Sequence, residues 1–212
     1  MYVKEIWRYP AKSMAGERVN QTKVDALGLA DDRKILVKGP NGRVLTARTH
    51  PRLLGLKGTL DAEGQARISG HLWNSPEALA LVKAAVGTNA ELFYYEGPER
   101  FDVLPLLVAT DGAIDHMGFD GRRLRPNIVI GGVEGLAERE WPGHNLKIGE
   151  AVIHAAQLRG RCVMTNYDPD TLKQDLNVLK RIVREFDGVM ALDCSVVSGG
   201  VIREGDPVTL DL

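Results

Sequence analysis

Only two of the 212 residues are cysteine, Cys162 and Cys194. Two thiols cannot build the disulfide framework that staples small secreted domains, and their scarcity fits a reducing compartment. No apolar run approaches the roughly 20 residues that cross a bilayer as a helix. The opening MYVKEIWRYPAKS has no apolar centre and no small-residue cleavage site, so a secretory leader is not expected. The cytoplasm is the expected compartment. Neither sign of charge prevails: 27 Lys and Arg stand against 28 Asp and Glu, for a net charge of −1. Bulk electrostatics therefore draws the chain to neither nucleic acid nor an anionic membrane, and neither partner is expected. No G-x-G-x-x-G fingerprint for a dinucleotide is present. A pyridoxal phosphate site is not expected either.

What is present punctuates like a β protein. YVKEIWRYP predicts a strand ended by Pro10, with AKSMAGE as the loop behind it. RKILVKG and RVLTAR flank GPNGR, whose Asn41-Gly42 pair suits the positive φ angles of a tight hairpin. Further strands are expected in RLLGLKGTL, AELFYYE, FDVLPLLVAT, PNIVIGG, NLKIG, AVIHAAQ, GVMALDCSVV and DPVTL. Two helices interrupt them. SPEALALVKAAV has Ser75 as cap, Pro76 at the first helical position and Gly87 at its end. The second is expected from Leu172 to Phe186, on a stripe of Leu172, Leu176, Leu179, Ile182, Val183 and Phe186. Thr171 and Gln174 read as its capping box and Gly188 as its stop. No repeat appears, and a weak boundary falls near EGPER. The expected fold is mainly β with peripheral helices (α+β), as two domains over residues 1–98 and 99–212.

Four clusters carry chemical interest. Cys162 lies beside Arg159 and Arg161, whose charges favour a thiolate that binds metal or reacts. A buried, inert thiol is the competing reading. Zinc-ligand spacing is missing, and a Cys-His pair using His144 or His154 has no supporting context. Cys194, in an alternating strand, is expected to pack. Lys12 and Ser13, directly after a strand, could together hold an anion, although taken alone a solvated turn is the stronger reading. Arg33 follows Asp31 and Asp32, which alternatively neutralise it at the surface. Arg125, Pro126 and Asn127 lead into an apolar strand, where Arg125 is held extended by the proline.

In sequence order, YPAKSMAGE, DDRKILV, LTARTHPRL, RPNIVIGG, the Glu138 to Trp141 segment EREW, LKIGEAVI, RC, TNYDPDT and GGVIREGDPVTL closely resemble the MOSC family with its N-terminal β-barrel domain. The resemblance runs from about Val3 to Leu210. Within the family the motifs are most similar to the molybdenum-dependent N-hydroxylate reductases. It implies a MOSC-type β-barrel packed with an N-terminal β-rich domain. It also implies molybdenum-molybdopterin as cofactor, with Cys162 as metal ligand and catalytic residue. Lys12, Ser13, Arg33, Arg125, Asn127 and Arg161 would cradle pterin and phosphate; Thr110 and Asp111 match a looser cofactor-contacting segment. Soft thiolate suits such a metal, and arginine forks suit phosphate.

The implied activity is reduction of an N–O bond in a small N-hydroxylated substrate, with electrons from an external iron–sulfur or flavin partner. Several bacterial relatives add a ferredoxin-like domain, whereas two cysteines leave no ligands for a cluster here. Only DGAIDHMGFDGRRL separates LLVAT from RPN, and Gly160 precedes RC. The alternative implied by other MOSC domains is a cofactor-binding or sulfur-carrier module without turnover of its own. A plain β-barrel interaction domain is the third reading.

Overall fold

Val3 and Ile6 both face the core although three positions separate them in the first strand, Tyr2–Arg8. In the computed structural model, which describes residues 1–211, a β-bulge between Val3 and Glu5 resets the alternation. That strand belongs to an eight-stranded sheet. Its order is Val208–Asp211, Asn145–Ile148, Ala151–Gly160, Val189–Ser198, Leu106–Thr110, Ile128–Gly131, Tyr2–Arg8 and Glu17–Arg18. Leu106–Thr110 and Ile128–Gly131 run parallel, which requires the crossover that carries helix α2, Asp111–Met117. The sheet curls until its ends meet: Tyr2 bridges Pro207, and the Val3 N–H donates to the Asp206 carbonyl at 2.9 Å. Ile128, Ile130, Leu146, Ile148, Leu192 and Cys194 fill the interior.

A second core lies outside this barrel. Ile35–Lys38 pairs with Val44–Leu45 and Glu91–Tyr94, and Ala66–Ile68 with Gly58–Leu60 and His71–Leu72. Helix α1, Pro76–Val86, packs Ala78, Val82 and Val86 against Ile35, Val37, Leu53 and Ile68. The Ser75 hydroxyl caps it and Gly87 ends it at φ 68°, as the sequence predicts. Chain order does not divide the two cores at residue 98. Tyr2–Arg8 lies in the barrel sheet, and Gln21–Asp25 pairs with Gly200–Arg203.

Four local expectations are corrected. In the Ile35–Leu45 hairpin only Gly42 has positive φ, while the Asn41 side chain instead accepts from the Arg43 N–H. Pro51–Gly55 is a 3-10 turn rather than a strand, started by Pro51 and buried through Leu53 and Leu54. Helix α2 is additional; its seven residues give too short a pattern to separate from a loop. Helix α3 spans Leu176–Phe186, not Leu172–Phe186. Thr171 hydrogen-bonds Asp168, Leu172 sits at φ 57°, and Asp175 supplies the cap by accepting from Asn177. The buried stripe is Val178, Ile182 and Phe186, which leaves Leu176 and Val183 exposed.

Candidate cofactor site around Cys162

Loops from both cores converge on one pocket of about 100 Å³. Its walls hold Lys12, Ser13, Arg33, Arg125, Asn127, Arg161 and Cys162, and with them Arg48, Asp102, Arg123, Arg159 and Asp193. Lysine and arginine far outnumber the carboxylates there. Ser13, Arg33 and Arg125 adopt left-handed backbone, at φ 68°, 56° and 58°, which corrects the extended Arg125 expected ahead of Pro126. For side chains with a Cβ this costs on the order of 1–2 kcal/mol each. Three of the eight described non-glycine residues with positive φ share this pocket, and functional sites often hold such strain.

Asp32 organises the cationic wall. Fully buried, it accepts from the Tyr9 N–H at 2.8 Å, from Asn127 Nδ2 at 3.1 Å and from the Arg33 guanidinium. Asn127 Oδ1 accepts from Arg33 at 3.1 Å and from the Leu107 N–H at 3.1 Å. Asn127 is therefore spent on orienting Arg33 and anchoring two strands, rather than presented freely to a ligand. Two guanidinium groups approach the Tyr9 ring, Arg125 at 4.4 Å and Arg33 at 5.1 Å from its centre. Burial pushes the Tyr9 phenol up to about 12, so it stays neutral beside them.

The remaining cations differ in how far they are committed. The Lys12 ammonium donates to the Arg100 carbonyl at 2.6 Å and to Asp102 at 2.8 Å, and burial pulls its pKa below the ordinary lysine value. Arg159 holds Asp193 at 2.9 Å, while burial pushes that carboxyl above its ordinary range. Arg161 donates through Nη2 to the Leu124 carbonyl at 2.6 Å. Its buried Nε has no partner among the described residues, and burial lowers its pKa to about 10. An unsatisfied buried donor costs roughly 1–3 kcal/mol, which an anionic ligand would recover.

Cys162 is half-buried at the start of the turn Val163–Asn166, its carbonyl accepting from the Thr165 hydroxyl at 2.9 Å. Cys194 is enclosed in the barrel core, where burial raises its pKa far above the ordinary thiol value. Two cysteines thus have two environments, as the sequence predicts.

Thr110 and Asp111 stand apart from this pocket. The Thr110 hydroxyl caps α2 at the Ala113 N–H and donates to Glu138 at 3.1 Å. Asp111 accepts from the Gly132 and Val133 N–H groups at 2.9 and 3.1 Å. Both are occupied in joining α2 to the neighbouring strand end, and neither lines the pocket that gathers the other candidates. Asp193 and Asp102 were not foreseen. An aspartate inside the apolar strand ALDCSVV was a usable signal, because unpaired carboxylates are rarely buried; Asp102 in an ordinary loop offered none.

Residues 1–90 match the MOSC N-terminal beta barrel domain, and residues 108–209 match the MOSC domain. The chain belongs to the MOSC family. The human mitochondrial amidoxime reducing component 2 is 26% identical, with 97% of this chain and 82% of the relative covered. Human mitochondrial amidoxime-reducing component 1 is 25% identical, at 98% and 82% coverage. The alignment with component 2 extends over 278 positions against 212 residues here, so that relative carries insertions. The YUAD protein of Bacillus subtilis shares the fold, with a TM-score of 0.54 at 12% identity over 99% of this chain and 94% of that one.

The donor set of this MOSC pocket defines what fits it. Among the described residues no group of three or more His, Cys, Asp and Glu gathers as a metal site. One cysteine sulfur amid many cations suits a metal carried on an anionic organic ligand, and Arg161 Nε supplies an unused donor. The enclosed volume of about 100 Å³ is below the roughly 300 Å³ where organic ligand sites begin. Arg48, 49% exposed, pairs with Asp102 on the pocket wall. By its donor set, rather than by its enclosed volume, the pocket fits a molybdopterin-type cofactor.

Proposed function

We propose that this MOSC protein is a molybdenum-cofactor oxidoreductase that reduces N–O bonds of N-hydroxylated compounds. The observation carrying the reading is the half-buried Cys162 in a cationic pocket beside an unpartnered buried donor, Arg161 Nε. The relatives' names, amidoxime-reducing components, supply the substrate class. Cys162 Sγ would hold the metal. Arg161, Arg33, Arg125, Lys12 and Ser13 would hold the phosphate and pterin, with Asp32 and Asn127 fixing the Arg33 fork. Tyr9 offers its ring to both the Arg33 and Arg125 guanidinium groups while remaining neutral. When bound, the cofactor supplies a two-electron centre open to the oxygen of the substrate. For an amidoxime the overall reaction consumes two electrons and two protons, and it releases the amidine and water. Protons come from water at the open pocket, and electrons from an iron–sulfur or flavin partner.

Paired assays of the molybdenum-loaded protein test this reading. A reduced viologen, which delivers electrons directly to an accessible metal, should drive benzamidoxime reduction, and NADH alone should not. Inactivity with every chemical reductant across a panel of N-hydroxylated compounds would transfer the assignment to a cofactor or sulfur carrier.

A further inference from the structure

Two carboxylates stand in the otherwise cationic wall of the Cys162 pocket, Asp102 and Asp193. Strand geometry brings Asp193 there. Leu192 and Cys194 on either side of it belong to the barrel core, so alternation turns Asp193 outward, onto the pocket. It is only 1% exposed all the same. Its Oδ1 accepts from Arg159 Nη1 at 2.9 Å. Its Oδ2 has only the Gln157 amide among the described residues, at a long 3.5 Å. Leu107, paired with Asp193 on the next strand, brings no charge, and Arg161 adds its charge from beyond the end of Ala151–Gly160. The neighbouring Cys194 thiol is kept neutral by burial.

Arg159 is shared. Its Nη2 stands 3.6 Å from Asp102, so one guanidinium spans both carboxylates. Their surroundings drive the two apart. Burial opposes charge on Asp102, but Lys12 at 2.8 Å and Arg48 at 2.9 Å outweigh it and hold that carboxyl below the ordinary aspartate value. At Asp193 burial prevails and pushes the carboxyl up, since Arg159 is its one ion-pair partner among the described residues. Carboxylates pushed in opposite directions divide into a fixed anion and a group able to carry a proton.

We propose, resting on the reductase reading above, that Asp193 hands a proton to the oxygen leaving the N-hydroxylated substrate, while Asp102 stays ionised and takes up Arg159. Two electrons and two protons convert an amidoxime to the amidine and water. The N–O bond breaks and its electron pair leaves with the oxygen, which already carries one hydrogen. Asp193 Oδ2 supplies the second hydrogen and completes the water. The two donated electrons and a proton from solvent make the new N–H bond. Solvent then reprotonates Asp193, so water remains the source of both protons. Arg159 leans to Asp102 while Asp193 is protonated and returns once the proton has gone.

Two measurements test this. In the cofactor-free protein, the Asp193 carboxyl signal, assigned by its loss in Asp193→Asn, should titrate above the ordinary value of about 4 by carboxyl-carbon NMR, and Asp102 below it. In the molybdenum-loaded protein driven by reduced viologen, turnover of saturating benzamidoxime should fall as pH rises through the Asp193 value, because the protonated form is the donor. Asp193→Asn should lower turnover about a hundredfold and flatten that profile, with pterin occupancy unchanged. Asp193→Glu should restore part of the rate together with the pH dependence. Asp102→Asn releases Arg159 to favour the Asp193 anion, so it should move the fall to lower pH, and this holds even if the Asp193 variants fold poorly. Asp193 titrating at or below Asp102 would overturn the proposal. Loss of pterin in Asp193→Asn would overturn it as well and make Asp193 a cofactor-holding group. Turnover with one pH profile shared by parent and Asp193→Asn would sink this proposal alone. Absence of turnover with every chemical reductant would sink the reductase reading and this proposal together.

Discussion

Cys162 and Cys194 differ in surroundings rather than in chemistry, so replacing each with serine separates the two roles. Cys162→Ser should abolish metal-linked reduction, because a hydroxyl is a far poorer ligand for a soft metal. Cys194→Ser should keep cofactor and activity within a few-fold. It should lower stability by about 1–3 kcal/mol by placing a hydroxyl in the apolar barrel core. Lys12→Ala and Arg125→Ala should each reduce pterin occupancy, read as fluorescence of the oxidised pterin. A charge-assisted contact is worth about 1.5–3 kcal/mol. Unchanged occupancy in both variants would return them to the status of structural charges.

Asp111 makes the opposite case. Burial pushes its carboxyl up, but the Gly132, Val133 and Gly112 N–H groups and Lys4 outweigh that and leave its pKa below the ordinary aspartate value. The folded state therefore binds fewer protons there than the unfolded chain. That stability is present above the unfolded value near pH 4 and disappears as pH falls through the lower folded value. Asp111→Asn should cost about 2 kcal/mol at pH 7 and little near pH 2, with pterin occupancy unchanged. Thermal melts at the two pH values check the sign. Residue types in the pocket loops were readable in the sequence because Lys, Arg and Cys carry their chemistry openly. The Tyr9–Asp32–Arg33–Asn127 network was not, since its members lie far apart in the chain and meet only after folding.

At the scale of elements, signals were legible where cap and period agreed. In α1, Ser75, Pro76, Gly87 and the apolar spacing all point to one helix, and that helix forms. In α3 two starts competed. The sequence around Thr171 offers a capping pattern, but Asp168 engages Thr171 and holds the turn before the helix. Asp175→Ala should therefore destabilise α3 by about 1 kcal/mol, a fall in Tm of about 2–4 °C for a chain of this size. Thr171→Ala should leave the helical content unchanged and disturb the turn that ends in Tyr167's neighbourhood. Equal helix loss in both variants, by circular dichroism, would restore the earlier start.

At the scale of the molecule, the β-rich class was legible in short strands and frequent turns. A barrel was expected, but the pairings that close it were not. The meeting of Tyr2 with Pro207, and of Gln21–Asp25 with Gly200–Arg203, joins the two chain ends through backbone pairing that no local pattern encodes. That closure belongs to the barrel core, whereas the pocket loops of the two cores meet through Asp32, Arg33 and Asn127. The most direct measurement is the molybdenum and pterin content of the purified protein, made in a molybdenum-replete host, beside its Cys162→Ser variant. The account predicts close to one molybdenum and one pterin per chain in the parent, and loss of metal-linked turnover in the variant. Protein purified from that host without either, or a variant with full molybdenum content and activity, would contradict it.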